Sequence, residues 1–146
     1  MTGASAQQPS RQRLDAPPTV ADVMQPALST VKPDDHLAAA AYLMHQAGAT
    51  ALVVVGGEQA MRPLGLITEA DIVRAVAEGK DVNDVRIRDL MTTDPTVITA
   101  ATSVRDAAGS MLAGHFRHLP VVDNGRLIGI VDIGDVSRAL LDPPPG

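Results

Sequence analysis

One seven-residue outline occurs twice in a chain of 146 residues. It stands first as Gly65-Leu66-Ile67-Thr68-Glu69-Ala70-Asp71 and again as Gly129-Ile130-Val131-Asp132-Ile133-Gly134-Asp135. Each copy runs from a glycine through an apolar pair to a polar residue, with an acid three positions on. That is the signature of a strand ending at a helix start. Other landmarks keep step. Met24 to Met91 spans 67 positions (91 − 24), as does Met44 to Met111 (111 − 44), and Gly65 to Gly129 spans 64 (129 − 65). The chain is therefore one structural unit used twice, with three extra residues in the first hairpin.

The unit reads in order. Short helical turns at 20–24 and 87–91 are each followed by a proline, Pro26 or Pro95. β-Branched runs at 29–31 and 96–98 predict short strands. Helices are predicted over 37–46 and 104–113. Leu37, Ala40, Ala41 and Met44 form one apolar stripe, and Val104, Ala107, Ala108 and Met111 form the other. Apolar runs at 51–55 and 118–122 predict buried strands. Gly56-Gly57-Glu58-Gln59 and Asp123-Asn124-Gly125 predict hairpins. Return strands follow over 64–68 and 127–132, with Arg62 and Pro63 assigned to the longer first loop, and helices over 69–78 and 134–141 close the units.

The order β-α-β-β-α in each copy makes this a mixed α/β (α+β) fold. The expected organisation is a flexible tail over 1–18, a first repeat over 19–78, a linker over 79–85, a second repeat over 86–141 and a proline-stopped tail over 142–146. The linker is short and polar, so the two units should pack together.

Composition narrows the chemistry. Tyr42 and Phe116 are the only aromatics, so a base-stacking nucleic-acid surface is not expected. A net charge of −5 argues against DNA binding by charge. Without cysteine there is no disulfide, no thiolate nucleophile and no Cys-based zinc site. No apolar run is long enough for a membrane span and no signal peptide is visible, which gives a cytoplasmic expectation. There is no nucleophile elbow and no phosphate-binding Gly-x-x-x-x-Gly-Lys loop, so no enzyme activity is expected. His115 and His118 are three apart, a spacing that does not share a strand face, so no metal site is assigned to them. His36 and His45 read as solvent-facing helix residues. The repeat-matched Met24, Met44, Met91 and Met111 read as core filler.

The corner itself has two readings. Thr68-x-x-Asp71 is a capping box, which nearly every helix start can use. It is also a hydroxyl and a carboxylate held at a helix N-terminus, where anions are favoured. Gly65 and Gly129 could let a ligand approach the backbone.

The ordered β-α-β-β-α units, the Pro120-Val121-Val122-Asp123 strand and the Gly-h-h-Thr-x-x-Asp corner resemble the CBS domain, named after cystathionine β-synthase. The resemblance covers about residues 19–141, and the tandem pair is similar to a Bateman module. It implies two units packed about a pseudo-two-fold axis with two clefts between them. Their usual ligands are adenine nucleotides or adenosyl compounds: AMP, ADP, ATP or S-adenosylmethionine. Carried over by position, Asp71 with Thr68, and Asp135 with Asp132, would hold ribose, while Arg117 and His118 would face phosphate. The first copy has Thr50 and Ala51 where the second has that basic pair. A carboxylate accepts both hydroxyls of a diol, and a guanidinium fork suits phosphate oxygens.

Asp132 departs from the family's Thr or Ser, and two carboxylates one turn apart repel a phosphate. The Asp71 site is therefore expected to be the better nucleotide site, with the Asp135 site weaker or suited to a less charged adenosyl compound. The resemblance implies a non-catalytic regulatory, energy-sensing module acting through an unidentified partner or its association state, and a homodimer formed through its helices. The alternative is a structural or interaction module with degenerate, unoccupied clefts.

Overall fold

The structure is a computed structural model that describes residues 16–57 and 61–141. Most of the expected N-terminal tail, the proline stop at 142–146 and Glu58-Gln59 of the first hairpin lie outside the described residues.

In chain order the elements are α1 (Val20–Val23), β1 (Gln25–Pro26), β2 (Thr30–Val31), α2 (Leu37–Ala47), β3 (Ala51–Gly56), β4 (Arg62–Thr68) and α3 (Glu69–Ala77). A 3-10 turn (Ile87–Asp89) follows, then β5 (Thr92–Thr93), β6 (Ile98–Thr99), α4 (Val104–Gly114), β7 (His118–Asp123), β8 (Arg126–Asp132) and α5 (Ile133–Leu141). They form two four-stranded sheets, ordered β2-β3-β4-β5 and β1-β8-β7-β6. The mixed α+β class and the two-unit architecture are as the repeat predicts.

The continuous apolar run of β3 has a simple cause. Leu52 and Val54 face α2 and α3 and join Leu37, Ala40, Met44, Ile67 and Ala75 in one core. Val53 and Val55 point the other way, into an apolar layer between the sheets with Leu66 and Leu127. A strand covered on both faces loses its polar alternation. Val104, Ala107, Met111, Leu119, Val121 and Val131 build the equivalent second core. Met44 and Met111 are buried there, as their repeat positions suggest.

The lead-in of each copy crosses to the other. β1 pairs with β8 of the second copy, and β5 pairs with β4 of the first. Val20 is buried in the second copy's core and Ile87 in the first copy's. This exchange gives Gly65 and Gly129 a packing role. A Cβ on Gly65 would lie 2.6 Å from Thr92 O, and one on Gly129 would lie 2.8 Å from Gln25 O.

Two strand assignments are corrected. Arg62 and Pro63 belong to β4, opposite Gly56 and Val55. A register shift between Val54 and Val55 leaves one residue of β4 unpaired as a bulge, and the second copy repeats it between Val121 and Val122. β5 pairs only with Gly65 and Leu66 of β4, so Pro63 lies outside the stretch that is paired on both sides. The sixth strand is Ile98–Thr99, so Thr96 and Val97 precede it; parallel pairing with Val121 and Val122 sets its position. The Asn124-Gly125 hairpin is as predicted, with φ of 51° and 78°.

Candidate functional site

Two clefts open between the copies. One, of about 730 Å³, is lined by Thr68, Glu69, Thr92, Phe116, Arg117 and His118 among others. The other, of about 420 Å³, is lined by Gln25, Thr50, His118, Asp132, Asp135 and Arg138 among others. Both volumes suit a small organic ligand.

Local folding explains the cross-copy assembly. The residue before each central strand clamps the first residue of a helix in its own copy. Thr50 O accepts from Glu69 N at 3.0 Å, and Arg117 O accepts from Ile133 N at 2.8 Å. The Thr50 side chain then reaches His118 of the opposite copy. Arg117 lines the cleft that contains Thr68, and its repeat equivalent Thr50 lines that cleft and also the one that contains Asp135. The sequence grouping, which set Thr68 in one copy against Arg117 and His118 in the other, is therefore replaced. The hydroxyl and the basic pair share one cleft.

The corner in the first copy is a complete capping box. Asp71 N donates to Thr68 Oγ1 at 3.3 Å, and Thr68 N and Oγ1 donate to Asp71 Oδ2 at 2.9 and 3.0 Å. Arg74 Nη2 donates to Asp71 Oδ1 at 3.0 Å. Asp71 is 7% exposed and lies behind Thr68, which lines the cleft. The Thr68 hydroxyl hydrogen is committed to Asp71, which leaves an oxygen lone pair open to a ligand hydroxyl. A hydroxyl-bearing ribose fits that need better than a phosphate, which at neutral pH offers acceptors.

The second corner differs. Asp132 N donates to Asp135 Oδ2 at 3.0 Å and Asp135 N donates to Asp132 Oδ1 at 2.8 Å. Arg138 Nη2 donates to Asp135 Oδ1 at 2.8 Å, and Gln25 Nε2 approaches the same oxygen at 3.4 Å. Arg138 offsets the repulsion between the two carboxylates. Asp135 lines its cleft directly, and Asp132 lines both.

His118 stands between the clefts. Its Nε2 lies 2.8 Å from Thr50 Oγ1, with the donor set by the imidazole tautomer. Burial lowers its pKa from the ordinary value of 6.5; Arg117 adds to the lowering, while Asp132, Asp135 and Glu69 oppose it. His115 lines the Thr68 cleft, and His36 and His45 are exposed on the first copy. Among the described residues no group of three or more potential ligands is placed to hold a metal.

Sequence reasoning missed Arg74, Arg138 and Gln25. The two arginines had a signal: they are 64 positions apart (138 − 74), the same offset as Gly65 and Gly129. Gln25 had none, because it reaches Asp135 only through the lead-in exchange.

Comparisons with known proteins agree with this architecture. A family model described as CBS domain matches residues 20–78 and 87–142. CBS domains are generally regulatory and non-catalytic. An uncharacterised 17.7 kDa protein of Acidianus ambivalens is 41% identical over 124 residues, which is 84% of this chain and 73% of that protein. The chain spans smaller shares, 61% and 48%, of two other curated relatives. A CBS-domain protein of Agrobacterium tumefaciens superposes with a TM-score of 0.75 at 33% identity, covering 84% of this chain and 98% of that one. CBSX2 of Arabidopsis thaliana, solved in complex with AMP, superposes with a TM-score of 0.73 at 31% identity, covering 88% of this chain and 99% of that one.

Proposed function

Because the chain belongs to the CBS-domain family, with two domains in tandem, we propose that it is a regulatory module that binds adenine nucleotides in the Thr68 cleft. The observation that carries this reading is the gathering of Thr68, Arg117 and His118 around one cleft of about 730 Å³. Ribose lies at Thr68, held in position by Asp71, and phosphate lies toward Arg117 and His118. The AMP bound to CBSX2 supports the ligand class. ADP, ATP and S-adenosylmethionine are the other candidates. The Asp135 cleft, with Asp132 on its wall, suits an uncharged or cationic adenosyl compound.

The signal leaves through a partner protein or through the association state, in a cytoplasmic setting. Val73, Val76 and Leu112 are exposed on α3 and α4, which supports a homodimer formed through helices. No helix among the described residues is long and apolar enough to cross a membrane. A second reading, an interaction module, is favoured at the Asp135 cleft alone, where Gln25 and Arg138 already engage the carboxylate.

The test is a thermal-shift panel of AMP, ADP, ATP, S-adenosylmethionine, NAD and GTP, repeated on Asp71→Ala. A ligand at a hundredfold excess over its dissociation constant stabilises by about 2.7 kcal/mol. That is roughly 5–10 °C for a chain of this size. The shift is expected with AMP and should be lost in Asp71→Ala. No shift with any nucleotide favours the interaction module.

A further inference from the structure

Three described residues line both clefts: Thr50, His118 and Asp132. Thr50 comes from the first copy, and the other two are opposite one another on β7 and β8. The Thr50–His118 hydrogen bond joins the copies across this wall. Its central group is an imidazole, which can take up a proton as pH falls.

We propose that this wall couples the two clefts: an anion in the Thr68 cleft draws His118 off Thr50 as an imidazolium, and that charge offsets Asp132 so that the Asp135 cleft accepts an anionic ligand more readily. The coupling rests on the nucleotide reading above. The charged groups around the imidazole are Asp132 at the end of β8, Asp135 on α5, Glu69 at the start of α3 and Arg117 before β7. Three are acidic, so a proton taken from solvent meets compensating charge once an arriving anion offsets the burial cost. Asp132 Oδ1 is occupied by the Asp135 amide, and among the described residues no donor reaches its Oδ2. A charged His118 beside Asp132 reduces the negative field that the second cleft presents. Linkage makes the effect reciprocal, so filling the Asp135 cleft with an anion also favours the Thr68 cleft.

Nuclear magnetic resonance of the four histidine rings tests this, with His118 assigned from its absence in His118→Gln. The titration is run on the free protein, with saturating AMP and with saturating adenosine. The His118 midpoint is expected to rise by about one unit with AMP, the low end of what one adjacent opposite charge produces. Adenosine, which lacks the anion, should leave it in place. By calorimetry the second AMP should bind about fivefold more tightly near pH 6 than near pH 8, a difference lost in His118→Gln. If that variant does not fold, Thr50→Val supplies the assignment, because it perturbs the same resonance. AMP binding with an unmoved midpoint, equal shifts with AMP and adenosine, or no second AMP at either pH overturns the coupling and leaves the nucleotide reading standing. No binding of AMP at all overturns both.

Discussion

Gly65 and Met91 meet across the two copies, and a methyl group built on Gly65 would sit 3.0 Å from Met91 Sδ as well as against the Thr92 carbonyl. Gly129 and Met24 repeat the contact at 3.0 Å. The backbone oxygen cannot swing aside as a side chain can. Gly65→Ala is therefore expected to cost about 2 kcal/mol, within the usual range for forcing atoms into a packed region. The melting temperature should fall by about 6 °C. Gly109 in α4 is the control: nothing lies within 4 Å of its Cβ position. Gly109→Ala should stabilise by up to about 1 kcal/mol, because alanine is the better helix residue.

Gly48 and His115 end their helices at the same repeat position, both left-handed, with φ of 62° and 58°. Only glycine adopts that conformation without a Cβ penalty. Substitutions should therefore have opposite signs at the two sites. Gly48→Ala is expected to destabilise by about 1 kcal/mol, since its surroundings are open and only the backbone term acts. His115→Gly should stabilise by about 0.5–1 kcal/mol. Chemical denaturation of both variants checks the pair. His115 also lines the Thr68 cleft, and strained residues of this kind concentrate at functional sites.

Much of the fold was legible because the repeat and the apolar periods specify local structure. The helices starting at Leu37 and Val104, the central strands and the Asn124-Gly125 turn all follow from short-range chemistry. What periodicity could not show was which copy each lead-in joins. Val20 and Ile87 read as apolar in either arrangement, and nothing local chooses between cores. The same blindness affected the site. Thr68 and Arg117 are far apart in sequence and lie in different copies, so grouping by copy separated two residues that share a cleft. The packing role of Gly65 and Gly129 was hidden for a related reason: the backbone that crowds them arrives from the other copy.

Asp132 carries its charge on the wall of both clefts. Replacing it with Thr keeps a helix-capping oxygen for the Asp135 amide and removes the charge. Asp132→Thr should bind AMP more tightly in the Asp135 cleft. Relief of ~1 kcal/mol of charge repulsion corresponds to about fivefold in affinity. Stability should change little, because the cap persists. Calorimetric titration of AMP reads both sites, and an unchanged or weaker second site would contradict this account of their inequality.

His118 makes stability depend on pH with a definite sign. Burial holds its folded pKa below the ordinary 6.5. The unfolded chain therefore takes up the proton first as pH falls. The His118 contribution is fully present above about pH 6.5 and is lost as pH drops through the folded value. Denaturation free energy should fall on going from about pH 7.5 to about pH 5, beyond the decline shared with the carboxylates. His118→Gln should remove that extra decline. A variant with the same pH profile as the parent would show that the imidazole is not protected in the native state.

Val20 tests the lead-in exchange directly. It is fully buried among Val104, Ala107, Met111 and Val136, all of them second-copy residues. Its backbone is also tied there, with Val20 N donating to Thr102 O at 2.8 Å. Val20→Ala removes two methyl groups and should cost about 2 kcal/mol from lost burial and the cavity left behind. The location of the damage matters more than its size. Hydrogen exchange should accelerate in α4, α5 and β7, although the substitution lies in the first tenth or so of the described sequence. Ile87→Ala should do the converse and loosen α2, α3 and β3, because Ile87 is buried in the first copy's core. If each substitution instead loosened its own copy, the lead-ins would not be exchanged, and the packing of Gly65 against Met91 would need another explanation.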